Sequence, residues 1–98
     1  MAYSVTSTWR SISGKEAEMK EVLKELRAAV RSEPGCSFHE VQQSLADPQV
    51  FMIYAIFKDR AAFDAHLLTE HVEVIARTRA MALRDSSRQS PNSYETIG

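Results

Sequence analysis

The sequence is short of almost everything that would mark it for a special environment. Cys36 is its only cysteine, which excludes an internal disulfide and a cysteine-built metal cage. Neither sign of charge dominates: 12 Lys and Arg stand against 13 Asp and Glu, a net charge of -1, so nothing electrostatic draws the chain to nucleic acid or to an anionic membrane. The longest apolar stretch, residues 50–57, is far too short to cross a bilayer. The first residues carry neither a basic nor an apolar leader region, so the expectation is a cytoplasmic protein. Internal repeats and low-complexity tracts are missing as well.

What is there reads as one globular unit. A chain of 98 residues, 44% hydrophobic and 26% charged, can fold around one core, and the expectation is a single domain over residues 1–98. So small a domain encloses a sizeable pocket with difficulty, and dimerisation through an open sheet face would supply the missing burial.

Residues 3–12 are rich in β-branched and aromatic side chains and read as a strand, with Val5, Ser7, Trp9 and Ser11 on one face. Ser13-Gly14-Lys15-Glu16 fits a capping box. Met19, Val22, Leu23, Leu26 and Val30 then step by three and four, one apolar stripe on a helix that must stop at Glu33-Pro34-Gly35. Residues 36–45 alternate like a strand, placing His39 with Ser37 and Val41 and placing Cys36 on the other side. After a turn at Ala46-Asp47-Pro48-Gln49, residues 50–58 are apolar on both faces, which predicts a central strand buried on both sides. Asp59 can cap a helix over residues 60–67. A break near Leu68-Thr69-Glu70 leads to another helix reaching Arg84, capped by Thr69 and carrying Val72, Ile75, Ala76, Ala80 and Leu83 inward. Residues 84–92 read as a loop and residues 93–97 as a last short strand. The order β-α-β-β-α-(α)-β predicts an α+β, ferredoxin-like antiparallel sheet with helices on one face.

Several features then coincide in order: Gly14-Lys15-Glu16 after a strand, the Ser32-Glu33-Pro34-Gly35-Cys36 corner, the run Tyr54-Ala55-Ile56-Phe57-Lys58-Asp59, and Ala65-His66-Leu67 followed by His71. The series resembles the antibiotic biosynthesis monooxygenase family of dimeric α+β barrels, over about residues 3 to 76. The resemblance implies a homodimer in which each subunit's pocket lies between its sheet and helices. It implies no single chemistry, because similar proteins include cofactor-free oxygenases of polycyclic hydroquinones, quinol oxygenases, haem-degrading enzymes and an isomerase. The family often carries Glu and Trp on the third strand, where this chain has Ala55 and Phe57. The haem-degrading branch needs an iron-ligating histidine where this chain has Ala76, so haem degradation is rejected.

Among residues that can do chemistry, His66 and His71 stand out as proton acceptors at neutral pH. Five apart, they would diverge on one continuous helix and converge only if the chain breaks between them. A metal site built from His39, His66 and His71 lacks supporting spacing, and no carboxylate is evident to complete a triad; the expectation is no metal. Trp9, Ile53 and Phe57 can stack on a planar aromatic, while Ser7 and His39 can hydrogen-bond its oxygens. Each of these has an ordinary core-packing or surface role as its alternative. Cys36 reads as a small buried hydrophobe. The resulting expectation is a monooxygenase with no cofactor, acting on a small aromatic or hydroquinone-type compound and O₂, with His66 or His71 as base. The alternative is a non-catalytic dimeric domain that binds a small ligand or serves as an accessory subunit. An RNA-binding domain of the same topology fails on charge and on the missing aromatic strand signature.

Overall fold

The computed structural model describes residues 1–85 and 92–95. Most of the loop expected over residues 84–92, and the end of the last expected strand at Thr96 and Ile97, lie outside the described residues. The elements run β1 (Tyr3–Arg10), α1 (Glu16–Arg31), β2 (Cys36–Gln43), β3 (Val50–Phe57), α2 (Arg60–Leu67), a third helix α3 (Val72–Ala80) and β4 (Asn92–Glu95). The strands form one antiparallel sheet in the order β2-β3-β1-β4, the ferredoxin-like arrangement.

The α1 stripe behaves as its spacing requires. Met19, Val22, Leu23, Leu26 and Val30 are all buried, and they meet Phe51, Ile53, Ala55 and Phe57 of β3 across the core. Each of these side chains except Ala55 contributes about 1.5–3 kcal/mol by leaving water. The start of α1 differs from the capping box. The Glu16 carboxylate takes the Gly14 N–H at 2.6 Å, with Gly14 at φ +89°, and Ser13 stays outside a helix that begins after Lys15. A positive φ at Gly14 turns the chain one residue later than a serine cap would.

β3 is buried on one face only. Phe51, Ile53, Ala55 and Phe57 point to the helices, whereas Met52 and Tyr54 stay exposed on the opposite face. There Tyr54 lies beside Phe38 of β2 with ring centroids 5.7 Å apart. The expected double burial therefore fails among the described residues, because no described element covers that face.

β2 carries a bulge at Ser37: Cys36 pairs with Phe57, but Phe38 already pairs with Ile56. One extra residue flips the alternation, so Cys36 and His39 share the helix-facing side rather than opposing one another. Cys36 packs at the edge of the core, and burial pushes its thiol up, which suits an inert side chain.

Asp59 caps α2 as expected, accepting from the Ala62 N–H at 2.8 Å. The chain then breaks after Leu67. Thr69 turns it, donating to the His66 carbonyl at 2.8 Å and accepting from the Val72 N–H at 3.4 Å. Beyond this point α3 is wound as a wide π-helix rather than the α-helix its spacing suggested, and the Thr78 hydroxyl donates to the carbonyl of Glu73, five residues back. Arg79 clamps α3 to α1 by two bonds to Glu25, at 2.9 and 2.6 Å.

The corner between α1 and β2 is held by a close approach. A Cβ added at Gly35 would sit 2.6 Å from the Ala62 Cβ of α2. Gly35→Ala is therefore expected to destabilise the fold by about 1–3 kcal/mol, because a methyl must displace a helix backbone rather than a flexible side chain. Thermal unfolding followed by circular dichroism should show Tm lowered by about 5–15 °C. An unchanged Tm would mean that α2 does not press on this corner.

Candidate active site

The helix-facing side of the sheet is large at its margins and small in its middle. Phe51 and Phe57 stand at the ends of β3, while Ile53 and Ala55 pair with Ser7 and Val5 of β1 between them. The helices cannot collapse onto so uneven a surface. A cavity of about 390 Å³ remains between the sheet and the α2–α3 side. A volume of that order suits a small organic ligand.

Of the residues singled out from the sequence, Ser7, Trp9, His39, Ile53, Phe57 and His66 line this cavity. They come from three strands and one helix, brought together by the register of the sheet. Trp9 Nε1 donates to the Ser7 hydroxyl at 3.2 Å, which leaves the serine proton free to donate elsewhere. His66 lies against the rings of Phe57 and Phe63, with centroids 4.9 and 5.8 Å away.

His71 is placed differently. It is not part of the cavity wall, yet it converges with His66 because the chain breaks between them. The meeting point is Glu33. One carboxylate oxygen, Oε2, lies 2.8 Å from His66 Nδ1 and 2.5 Å from His71 Nε2. The Glu33 and His66 side chains are each only 12% exposed. Among the described residues no lysine or arginine pairs with this carboxylate. Glu33 reaches the site because its own carbonyl accepts the Cys36 N–H at 3.1 Å, closing a turn through Pro34 and Gly35. No carboxylate was expected beside these histidines, and Glu33 corrects that reading. Its sequence signal was present: an acidic residue fixed before Pro-Gly at a corner pressed against a helix.

An ionised carboxylate only accepts, so each imidazole donates to it. Neutral His66 therefore holds its proton on Nδ1 and keeps a lone pair on Nε2, which can accept a proton. Among the wall residues that sequence reasoning did not single out are Arg77 and Met81, on and just beyond α3. Arg77 is paired with Glu73 at 3.2 Å. Ala76 also lines the cavity and offers no ligand to iron.

His39 is the most buried of the three histidines, 3% exposed, and its Nδ1 has no partner among the described residues. Burial, reinforced by the charges of His66 and Arg31, lowers its pKa from 6.5 to about 4. The unfolded chain takes up a proton near pH 6.5 that the folded chain refuses until about pH 4. His39 therefore contributes a loss of stability as pH falls through that window, up to about 3 kcal/mol. Urea unfolding at about pH 7 and about pH 4.5 should show a smaller acid loss in His39→Gln than in the parent chain. Equal losses would place His39 in contact with water.

Comparison with known proteins agrees with this architecture. The chain is similar to a conserved protein from Methanosarcina mazei, with 22% identity and a TM-score of 0.89 over 99% of this chain and 94% of that one. A protein of unknown function from Bacteroides thetaiotaomicron aligns at 21% identity and a TM-score of 0.88, covering 97% of each chain. A cofactor-independent oxygenase from Streptomyces nogalater aligns at 18% identity and a TM-score of 0.85, over 99% of this chain and 94% of that one. At such identities the likeness is one of fold. No curated protein sequence matches. Residues 2–78 match the family model described as antibiotic biosynthesis monooxygenase, and the chain belongs to that family.

Proposed function

We propose that the protein is a cofactor-independent monooxygenase that oxidises a small phenolic or hydroquinone-type aromatic in the cavity beside His66. The observation that carries this reading is the Glu33–His66 pair, which places an oriented imidazole on the wall of an otherwise mainly apolar cavity. The aromatic ring stacks near Trp9 and Phe57, and Ser7 and His39 contact its oxygens. His66 Nε2 removes a phenolic proton, and Glu33 stabilises the imidazolium that results. The electron-rich anion passes one electron to O₂. The resulting radical and superoxide recombine at carbon, and the peroxide loses water to leave a carbonyl. Both electrons that reduce the second oxygen atom come from the substrate. The protein supplies orientation, deprotonation and a site that excludes water.

His71 serves this chemistry indirectly, by holding Glu33. An open cavity serves a small-ligand-binding domain equally well; the Glu33–His66 pair on its wall is the feature that favours catalysis over that alternative. The family membership and the exposed Phe38, Met52 and Tyr54 support a homodimer formed through the free sheet face. The helix-side cavity would stay clear of that contact. Among the described residues no helix is long and apolar enough to cross a membrane, and an unpaired Cys36 suits the reducing cytoplasm, where we place the protein.

The test is oxygen uptake by chelator-treated protein on a panel of hydroquinones and anthrones. His66→Ala should lower kcat by about 10²–10⁴-fold, the range for loss of a general base. Glu33→Gln should lower it less, because the imidazole loses its charged partner but keeps its place. No uptake across the panel, or full activity in His66→Ala, would overturn the proposal.

A further inference from the structure

The Glu33, His66 and His71 cluster has a second chemical identity. Two imidazoles and one carboxylate are the donor set that suits zinc, cobalt or ferrous iron. One ligand atom from each of the three residues lies within 4.8 Å of the other two, and Glu33 Oε2 already contacts His66 Nδ1 and His71 Nε2. They come from three separate segments: the corner after α1, the last turn of α2, and the residue just before α3. Around a tetrahedral ion with bonds of about 2.0–2.2 Å, neighbouring donors stand about 3.3–3.6 Å apart. The present oxygen–nitrogen separations are 2.8 and 2.5 Å. Widening these two contacts by about 0.5–1 Å would admit an ion.

The electrostatics favour it. The carboxylate is largely buried and is compensated only by imidazole N–H groups, with no lysine or arginine paired to it among the described residues. A divalent cation would replace two neutral donors with a full charge. Neither imidazole needs to lose a proton to the solvent. Each neutral ring can shift its proton to the other nitrogen, His66 from Nδ1 to Nε2 and His71 from Nε2 to Nδ1.

The geometry points to a divalent transition-metal site at Glu33, His66 and His71 whose occupancy switches His66 from proton acceptor to proton donor. Glu33 and His71 lie off the cavity wall, so an ion among the three sits behind His66. The nitrogen it takes, Nδ1, is the one now facing Glu33. The other nitrogen, Nε2, then carries the ring proton and has no lone pair left for a phenol. Metal binding and base catalysis are therefore mutually exclusive uses of one side chain. Ligation stands on the cluster itself, while its inhibitory effect rests on the proposed function.

Cobalt(II) titrated into chelator-treated protein tests the two separately. The expected result is one ion per chain with a ligand-field band in the visible spectrum, and zinc should displace it with the same stoichiometry by calorimetry. Glu33→Gln and His71→Ala should each weaken binding by at least about tenfold, while Cys36→Ser should leave it intact. Circular dichroism confirms that each variant is folded, and Glu33→Gln, the nearly isosteric change, decides if His71→Ala is not. In nitrogen-15 spectra of the histidine rings, zinc should move the His66 proton from Nδ1 to Nε2. Absence of binding at equimolar metal, binding that survives both substitutions, or an unmoved His66 tautomer would overturn the inference. Oxygen uptake, measured in parallel, should fall as zinc binds. If metal binds and no substrate turns over even without it, the site stands and the proposed function fails.

Discussion

The arrangement depends on one carboxylate oxygen shared by two imidazoles. Glu33 Oε2 ties the corner after α1 to the end of α2 and to the start of α3, three segments separated by 33 and 38 residues in sequence. The same corner sets how close those segments come. Gly35 has no side chain, so Ala62 packs directly against it. His66 lies one helical turn beyond Ala62 on the same side of α2, which carries its ring over Glu33. A larger residue at the corner would lift the helix and open the histidine–carboxylate contact. The Pro34-Gly35 turn is thus both a stop for α1 and the gauge that sets the site's dimensions.

The cavity has a separate cause in the distribution of side-chain volume. β1 contributes Val5 and Ser7, and β3 contributes Ala55 and Ile53, at the centre of the helix-facing surface. The aromatic bulk lies at the periphery, in Trp9, Phe51 and Phe57. Ala55 and Phe57 stand where the family often has Glu and Trp, and they make this wall less polar. An apolar wall raises the cost of charge in the cavity, so it favours a neutral imidazole whose partner carboxylate lies behind it. Glu33, outside the cavity, fits that requirement better than an acid on β3 would.

Much of the scaffold was legible because it is local. The five apolar residues of α1 reach the core by spacing alone, and Asp59 caps α2 by its side chain. The pairing of β2 with β3 follows from two strands joined by a short turn. The bulge at Ser37 was invisible, since an extra residue leaves the composition of a strand unchanged while moving Cys36 to the other face. The π-winding of α3 was hidden for a similar reason: its apolar residues recur at intervals that an α-helix also accepts. Most site residues were found because strand alternation and family register place them on one face. Glu33 was not legible because its partners lie 33 and 38 residues away, beyond any local pattern around Pro34-Gly35. His71 was found, but its distance from the cavity depends on a helix break whose angle no periodicity encodes.

His66 is the one side chain that belongs both to the cavity and to the carboxylate cluster, and its two nitrogens cannot be chosen independently. Whatever binds Nδ1 decides the state of Nε2. A carboxylate on Nδ1 accepts its proton bond and leaves Nε2 basic; a cation on Nδ1 takes the lone pair and leaves Nε2 protonated. An imidazole held this way is inherently sensitive to what occupies the space behind it. That sensitivity is weakest where the carboxylate is held firmly, and His71 supplies the hold by donating to the same oxygen. The second histidine thus favours the hydrogen-bonded form of the cluster while being the ligand that would complete a metal site. The balance between the hydrogen-bonded cluster and the proposed metal-bound one is set by the strength of one shared oxygen's contacts, outside the cavity.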